Sequence, residues 1–219
     1  MTGAQSALIS FAAGSNPNDP TLVSQFDAGS KITSILDRGP TMLNLLTHPD
    51  DGSASPVTSP VALLLTFSMT HITSNQIMPG LWAHTFSVSG SFEFRDQVTD
   101  DLLYRGTAGE SGGVFVGLGT ATKINSGGIG DFNTTYDIGP AGEAIVGFGG
   151  TQLPGDFGFT LTDINNGAGA TLIFENGSVV GIEDFFAHSS FSGSFIPTPG
   201  ALALAMMSGV MAIRRRRNV

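Results

Sequence analysis

Along much of this chain apolar and polar residues alternate one by one. From 82 to 95 the even positions read Trp82, His84, Phe86, Val88, Gly90, Phe92 and Phe94, and the odd positions Ala83, Thr85, Ser87, Ser89, Ser91, Glu93 and Arg95. Successive side chains of a strand point to opposite faces, so this stretch reads as an antiparallel strand with one face on a core and the other in water. Over 61–72 the residues Val61, Leu63, Leu65, Phe67 and Met69 make a second such face. Phe157, Phe159 and Leu161 make a third, and Phe191 and Phe195 a fourth. Asn176-Gly177, between two apolar runs, is a two-residue hairpin signal. Pro154-Gly155 and the Gly-Pro-Ala-Gly run at 139–142 punctuate other strands.

The pattern predicts strands near 6–13, 61–72, 82–95, 101–107, 113–121, 143–149, 157–163, 170–175, 178–184 and 188–196. Helix is expected only at 41–47 and in the tail, with loops at 14–22 and 48–60. The fold class that follows is all-β, an antiparallel β-sandwich with a jelly-roll-like arrangement, filling residues 1–195 as one domain. Its last strand feeds a separate C-terminal segment, 196–219.

Composition supports short strands and tight turns. Glycine, at 30 of 219 residues, is about twice ordinary usage, and charged residues, at 12%, about half of it. The formal charge of −9 is unevenly spread: without Arg214, Arg215, Arg216 and Arg217, five cations face 18 acids, a net of −13. A body so short of cations cannot neutralise phosphates, which argues against nucleic acid as a partner. The absence of cysteine excludes disulfides, thiolate metal sites and a cysteine nucleophile.

The C-terminus departs from all of this. Pro197, Thr198, Pro199 and Gly200 stop any helix from continuing upstream. Residues 201–213 then carry no charge and no proline, with Ala201, Leu202, Leu204, Met206, Met207, Val210, Met211 and Ile213 as the apolar members. As a helix this run is roughly 20 Å long, short for a bilayer, and flanking arginines that snorkel recover part of the deficit. A buried helix would show a polar face, and only Ser208 and Gly209 interrupt this one. The expectation is a short C-terminal transmembrane helix, anchored on the cytoplasmic side by Arg214, Arg215, Arg216 and Arg217.

The order Pro-x-Pro, short apolar helix, arginine cluster resembles a PEP-CTERM protein-sorting domain, in a variant where Thr198 stands in place of the family's glutamate. The likeness covers 196–217, about a tenth of the chain. It implies export, membrane retention through the C-terminal helix, and processing by an exosortase-type enzyme. Delivery to the surface or extracellular matrix of a Gram-negative bacterium, with extracellular polysaccharide as a possible neighbour, would follow. The first twenty residues have neither a basic region nor a sustained apolar one, so export requires a signal upstream of Met1 that this sequence does not carry.

In the body, His71 and His84 fall on apolar parity on either side of a loop and would meet if their strands form a hairpin. They are half of a metal site or, more simply, strand-end histidines over the core. Asp163, Asn165, Asn166 and Gly167, and the acids between Asp96 and Asp101, offer oxygen ligands for calcium, although neither stretch fits a calcium-loop consensus and plain turns use the same residues. No other cofactor is implied. No nucleophile elbow, zinc-protease helix or phosphate loop occurs, and Glu143, Glu175 and Glu183 do not single out a glycosidase pair. The expected function is therefore non-enzymatic: an exported surface or matrix protein with a structural or adhesive role. The alternative is a polysaccharide-binding module, for which Trp82, Tyr104 and Tyr136 are the available aromatics. A secreted hydrolase, with two facing carboxylates in a cleft, ranks third.

Overall fold

The computed structural model describes residues 7–12, 20–37, 41–49, 55–130, 134–155 and 157–195. The C-terminal segment expected to sort and anchor the chain lies outside the described residues. That covers Pro197, Thr198, Pro199 and Gly200, the apolar run 201–213, and Arg214 to Arg217. Among the described residues no helix is long and apolar enough to cross a membrane.

The body is all-β and antiparallel throughout. In chain order the strands are β1 (Ala7–Ala12), β2 (Leu22–Asp27), β3 (Ile32–Asp37), β4 (Thr41–Pro49), β5 (Val57–Met78), β6 (Leu81–Asp96) and β7 (Leu102–Thr120). They continue as β8 (Lys123–Gly130), β9 (Thr134–Ile138), β10 (Gly150–Gly155), β11 (Phe157–Thr162), β12 (Ala170–Glu175), β13 (Ser178–Ile182) and β14 (Phe186–Phe195). A short helix, α1 (Pro140–Val146), sits between β9 and β10.

Pairing runs β5–β3–β2–β14–β11–β8–β7–β6 and returns to β5, so the hydrogen bonding closes on itself. A second bridge, β5–β4–β1–β14, spans the same gap further toward the start of β5. Two hairpin arms hang from this ring, β9–β10 from β7 and β12–β13 from β8. Closure satisfies edge groups that would otherwise be open to another chain.

The alternation seen in the sequence is the inside–outside pattern of the ring. Val61, Leu63, Leu65, Phe67 and Met69 on β5, and Phe86, Val88, Phe92 and Phe94 on β6, are all buried. The centre is aromatic: Phe11 stacks on Phe191 at 5.7 Å, and Phe92 meets Phe191 edge-on at 5.2 Å. Edge-to-face pairs of this kind add about 1 kcal/mol each beyond the area they bury. Such a large ring needs room across the strand. Opposite Phe92 stands Gly106, where a Cβ would lie 2.2 Å from the ring. Gly90 is another position that demands glycine, with φ +138° and a would-be Cβ 2.1 Å from the Thr66 carbonyl. The β6–β7 register shifts there, so Gly90 divides β6 into two segments with different β7 partners.

Three expectations change. Residues 41–47 are strand, not helix: β4 is inserted between β1 and β5, and Leu45 and Thr47 point inward with Asn44 outward. Two-sided pairing outweighs the helix propensity of a Leu-rich stretch. Residues 143–149 fall largely in and just after α1 rather than in a strand. Pro140 opens the helix, where its missing N–H costs nothing, and left-handed Gly147 (φ 79°) closes it on the Glu143 carbonyl. Strands β2, β3, β8, β9 and β10 arise where no strand was read, and β7 is one strand rather than two. The Asn176-Gly177 hairpin holds, with φ of 49° and 80°.

Candidate functional site

The β5–β6 hairpin brings His71 and His84 together, and it does so through a residue that the alternation pattern conceals. Strict alternation from Phe67 and Met69 would aim Thr73 inward and Ser74 outward. The register instead slips between His71 and Thr73, leaving Ile72 as the extra residue. Parity flips beyond this bulge, so Ser74 lies directly opposite His84 on the core side. The signal was present as Ile72, an apolar residue on the polar parity.

The resulting contacts form a chain. His84 Nε2 lies 2.8 Å from the Thr120 carbonyl, which can only accept, so Nε2 carries the proton. His84 Nδ1 is then an acceptor, and the Ser74 hydroxyl donates to it across 2.8 Å. On the other side His71 Nε2 lies within hydrogen-bond distance of Ser74 Oγ, at 2.9 Å. His84 is fully buried, whereas Ser74 and His71 are half-buried and the hairpin beyond them is exposed. Trp82 stacks on the His84 ring (6.3 Å between centroids, 6° apart), and Phe86 meets His71 edge-on at 5.3 Å. Burial holds His71 below the ordinary histidine range, with a hydrogen bond to the Thr73 backbone acting upward and the nearby His84 acting downward. No Asp, Glu, Lys or Arg occurs from 57 to 92, so these imidazoles are the ionisable side chains of β5 and of β6 up to Phe92.

The other sequence candidates separate. Asp96 is committed to its own turn: Oδ1 accepts from the Val98 and Thr99 amides at 2.8 and 2.9 Å, and these bonds hold the carboxyl below its usual range. Its Oδ1 serves the backbone of that turn. In the 163–167 loop, Asp163, Asn165 and Asn166 all take positive φ. Asn165 braces the loop, donating from Nδ2 to the Gly169 carbonyl (3.0 Å) and accepting from the Phe186 amide (3.1 Å). Glu143 stands in the first turn of α1, Glu175 pairs with Lys31, and Glu183 is exposed, so the three do not converge. Among the described residues no three His, Cys, Asp or Glu side chains gather as a metal cluster. Tyr104 and Tyr136 are both completely buried, and burial pushes the Tyr104 hydroxyl up to about 12. They form part of the core and give a sugar ring no platform.

One charged assembly does form, on the outer face of the ring. Glu93 accepts from Arg95 Nε at 2.7 Å and pairs with Arg105 Nη2 at 2.6 Å, and Arg95 Nη1 donates to the Asp100 carbonyl at 3.0 Å. Burial pushes Glu93 up, but the two guanidinium groups outweigh it and hold the carboxyl below its ordinary range. Within the body His188 is 5% exposed with both ring nitrogens lacking a hydrogen-bond partner, an unmet cost in the fold. No protein-family model, curated protein or solved structure matches this chain.

Proposed function

We propose that this chain is a non-enzymatic exported protein of the cell surface or extracellular matrix, with a structural or adhesive role. In this reading residues 196–219 act as a PEP-CTERM-like sorting signal, read by an exosortase-type enzyme. The observation that carries it is the order of chemistry there. Pro197, Thr198 and Pro199 interrupt the chain, 201–213 offer an uncharged apolar run, and Arg214 to Arg217 follow at once. Its position agrees, since the last strand, β14, ends at Phe195, immediately before the proline-containing segment. The body it would carry is, in this reading, a jelly-roll-like β-sandwich, consistent with a closed strand path around an aromatic core. The carboxyl groups with perturbed titration (Asp27, Glu93 and Asp96) are all shifted toward the ionised form, which favours binding or structure over acid catalysis.

The test is deletion of 201–219 in the native host, followed by fractionation. The truncated protein is expected to leave the membrane fraction and accumulate in the medium. Identical fractionation of truncated and full-length protein would refute the sorting role.

A further inference from the structure

We propose that His71, Ser74 and His84 form a binding site for a divalent transition-metal ion of the copper or zinc type, with both imidazoles as ligands and the remaining positions open to water. The ring nitrogens His71 Nε2 and His84 Nδ1 converge on one point, the Ser74 hydroxyl, from 2.9 and 2.8 Å. An ion near that point needs each nitrogen to close by about 0.8 Å to reach a metal–nitrogen bond of roughly 2.0–2.1 Å. Turning Ser74 to another rotamer vacates the space and keeps its oxygen available as a weak ligand.

The surroundings match what imidazole ligands need. His84 donates its far N–H to the Thr120 carbonyl, which fixes the ring and leaves the Nδ1 lone pair directed at Ser74. Metal-ligating histidines are oriented in this way. His71 also bonds a backbone group, at Thr73. Stacked Trp82 and edge-on Phe86 confine the two rings. With no carboxylate on this stretch, the donor set suits copper, nickel or zinc rather than calcium or magnesium. Entry is from the exposed distal end of the hairpin.

Trp82, the sole tryptophan of the chain, lies 6.3 Å from the His84 ring and so reports directly on occupancy. Copper(II) titrated into the full-length chain is expected to quench its fluorescence saturably at one equivalent, with reversal by chelator and competition by zinc(II). His71→Ala, at a half-buried position, should weaken binding at least tenfold. Ser74→Ala, which keeps both rings and removes the competing hydroxyl, should retain it. His48→Ala should bind as the unaltered chain does. Quenching no greater than that of free tryptophan, equal affinity in His71→Ala, or loss in Ser74→Ala with retention in His71→Ala would each overturn the site.

Discussion

The two halves of the β5–β6 hairpin share a pair of strands and little else. In the half nearer the β6–β7 turn, β5 is flanked by β4 and β6, its inward residues from Val61 to Met69 are sealed, and Glu93, braced by Arg95 on its own strand, ties β6 to β7 through Arg105. In the distal half, beyond His71, the pairing is bulged twice, Ile72, Ile77 and Met78 stand in solvent, and the only ionisable side chains are two histidines. Regular alternation produces the stable half, because each inward side chain meets a partner across the ring. A break in alternation produces the chemically distinctive half, because the bulge turns polar groups toward one another. Apolar packing and polar contact are thus set by the same period, kept in one place and broken in the other.

That contrast can be broken most violently at the boundary. Gly90→Ala places a methyl group 2.1 Å from the Thr66 carbonyl at a φ of +138°. A loss of roughly 3–5 kcal/mol is expected in chemical denaturation, enough to unfold both halves together. If the variant instead keeps near-full stability, Gly90 does not hold the two segments in register.

A milder lesion sharpens the account of the ion-pair half. Glu93→Gln should cost about 1 kcal/mol at neutral pH, since the pair is only partly buried and solvent screens it. The folded pKa of Glu93 lies below its ordinary 4.5, so its contribution is complete above that value and disappears as pH falls through the lower folded one. The stability gap between the two proteins should therefore narrow on acidification below 4.5. A gap independent of pH would remove the carboxylate from the explanation. At the far tip Ile77→Ser, in a side chain 54% exposed, should change stability by less than about 0.5 kcal/mol in a thermal melt. A large loss there would mean that the distal half is part of the cooperative core.

The inward faces of β5, β6 and β11 were legible because each element carries a clean period of two over large apolar residues. Strands β2 and β3 were not, since Ser24, Thr33 and Ser34 share their inward and outward positions with Leu22 and Ile35 and blur the pattern. Thr33 is buried because its hydroxyl accepts from the Ile182 amide, a contact 149 residues away in sequence. The β4 segment misled for a related reason, its conformation being decided by two neighbours distant in sequence. The histidine pair was visible as parity, but the serine joining it depended on a bulge of one residue. The two tyrosines, read as potential surface aromatics, belong to the core because their strand positions align with Phe92 and its neighbours.

The strand that completes the ring is also the last one made. β14 bonds to β1, β2 and β11, so the ring stays open until residues near 190 have emerged. A polypeptide threaded through a translocation pore from its beginning would remain unclosed for nearly its whole length, because contacts so far apart in sequence form slowly and late. Closure is therefore the last step open to the chain, and the ring cannot form before β14 is available.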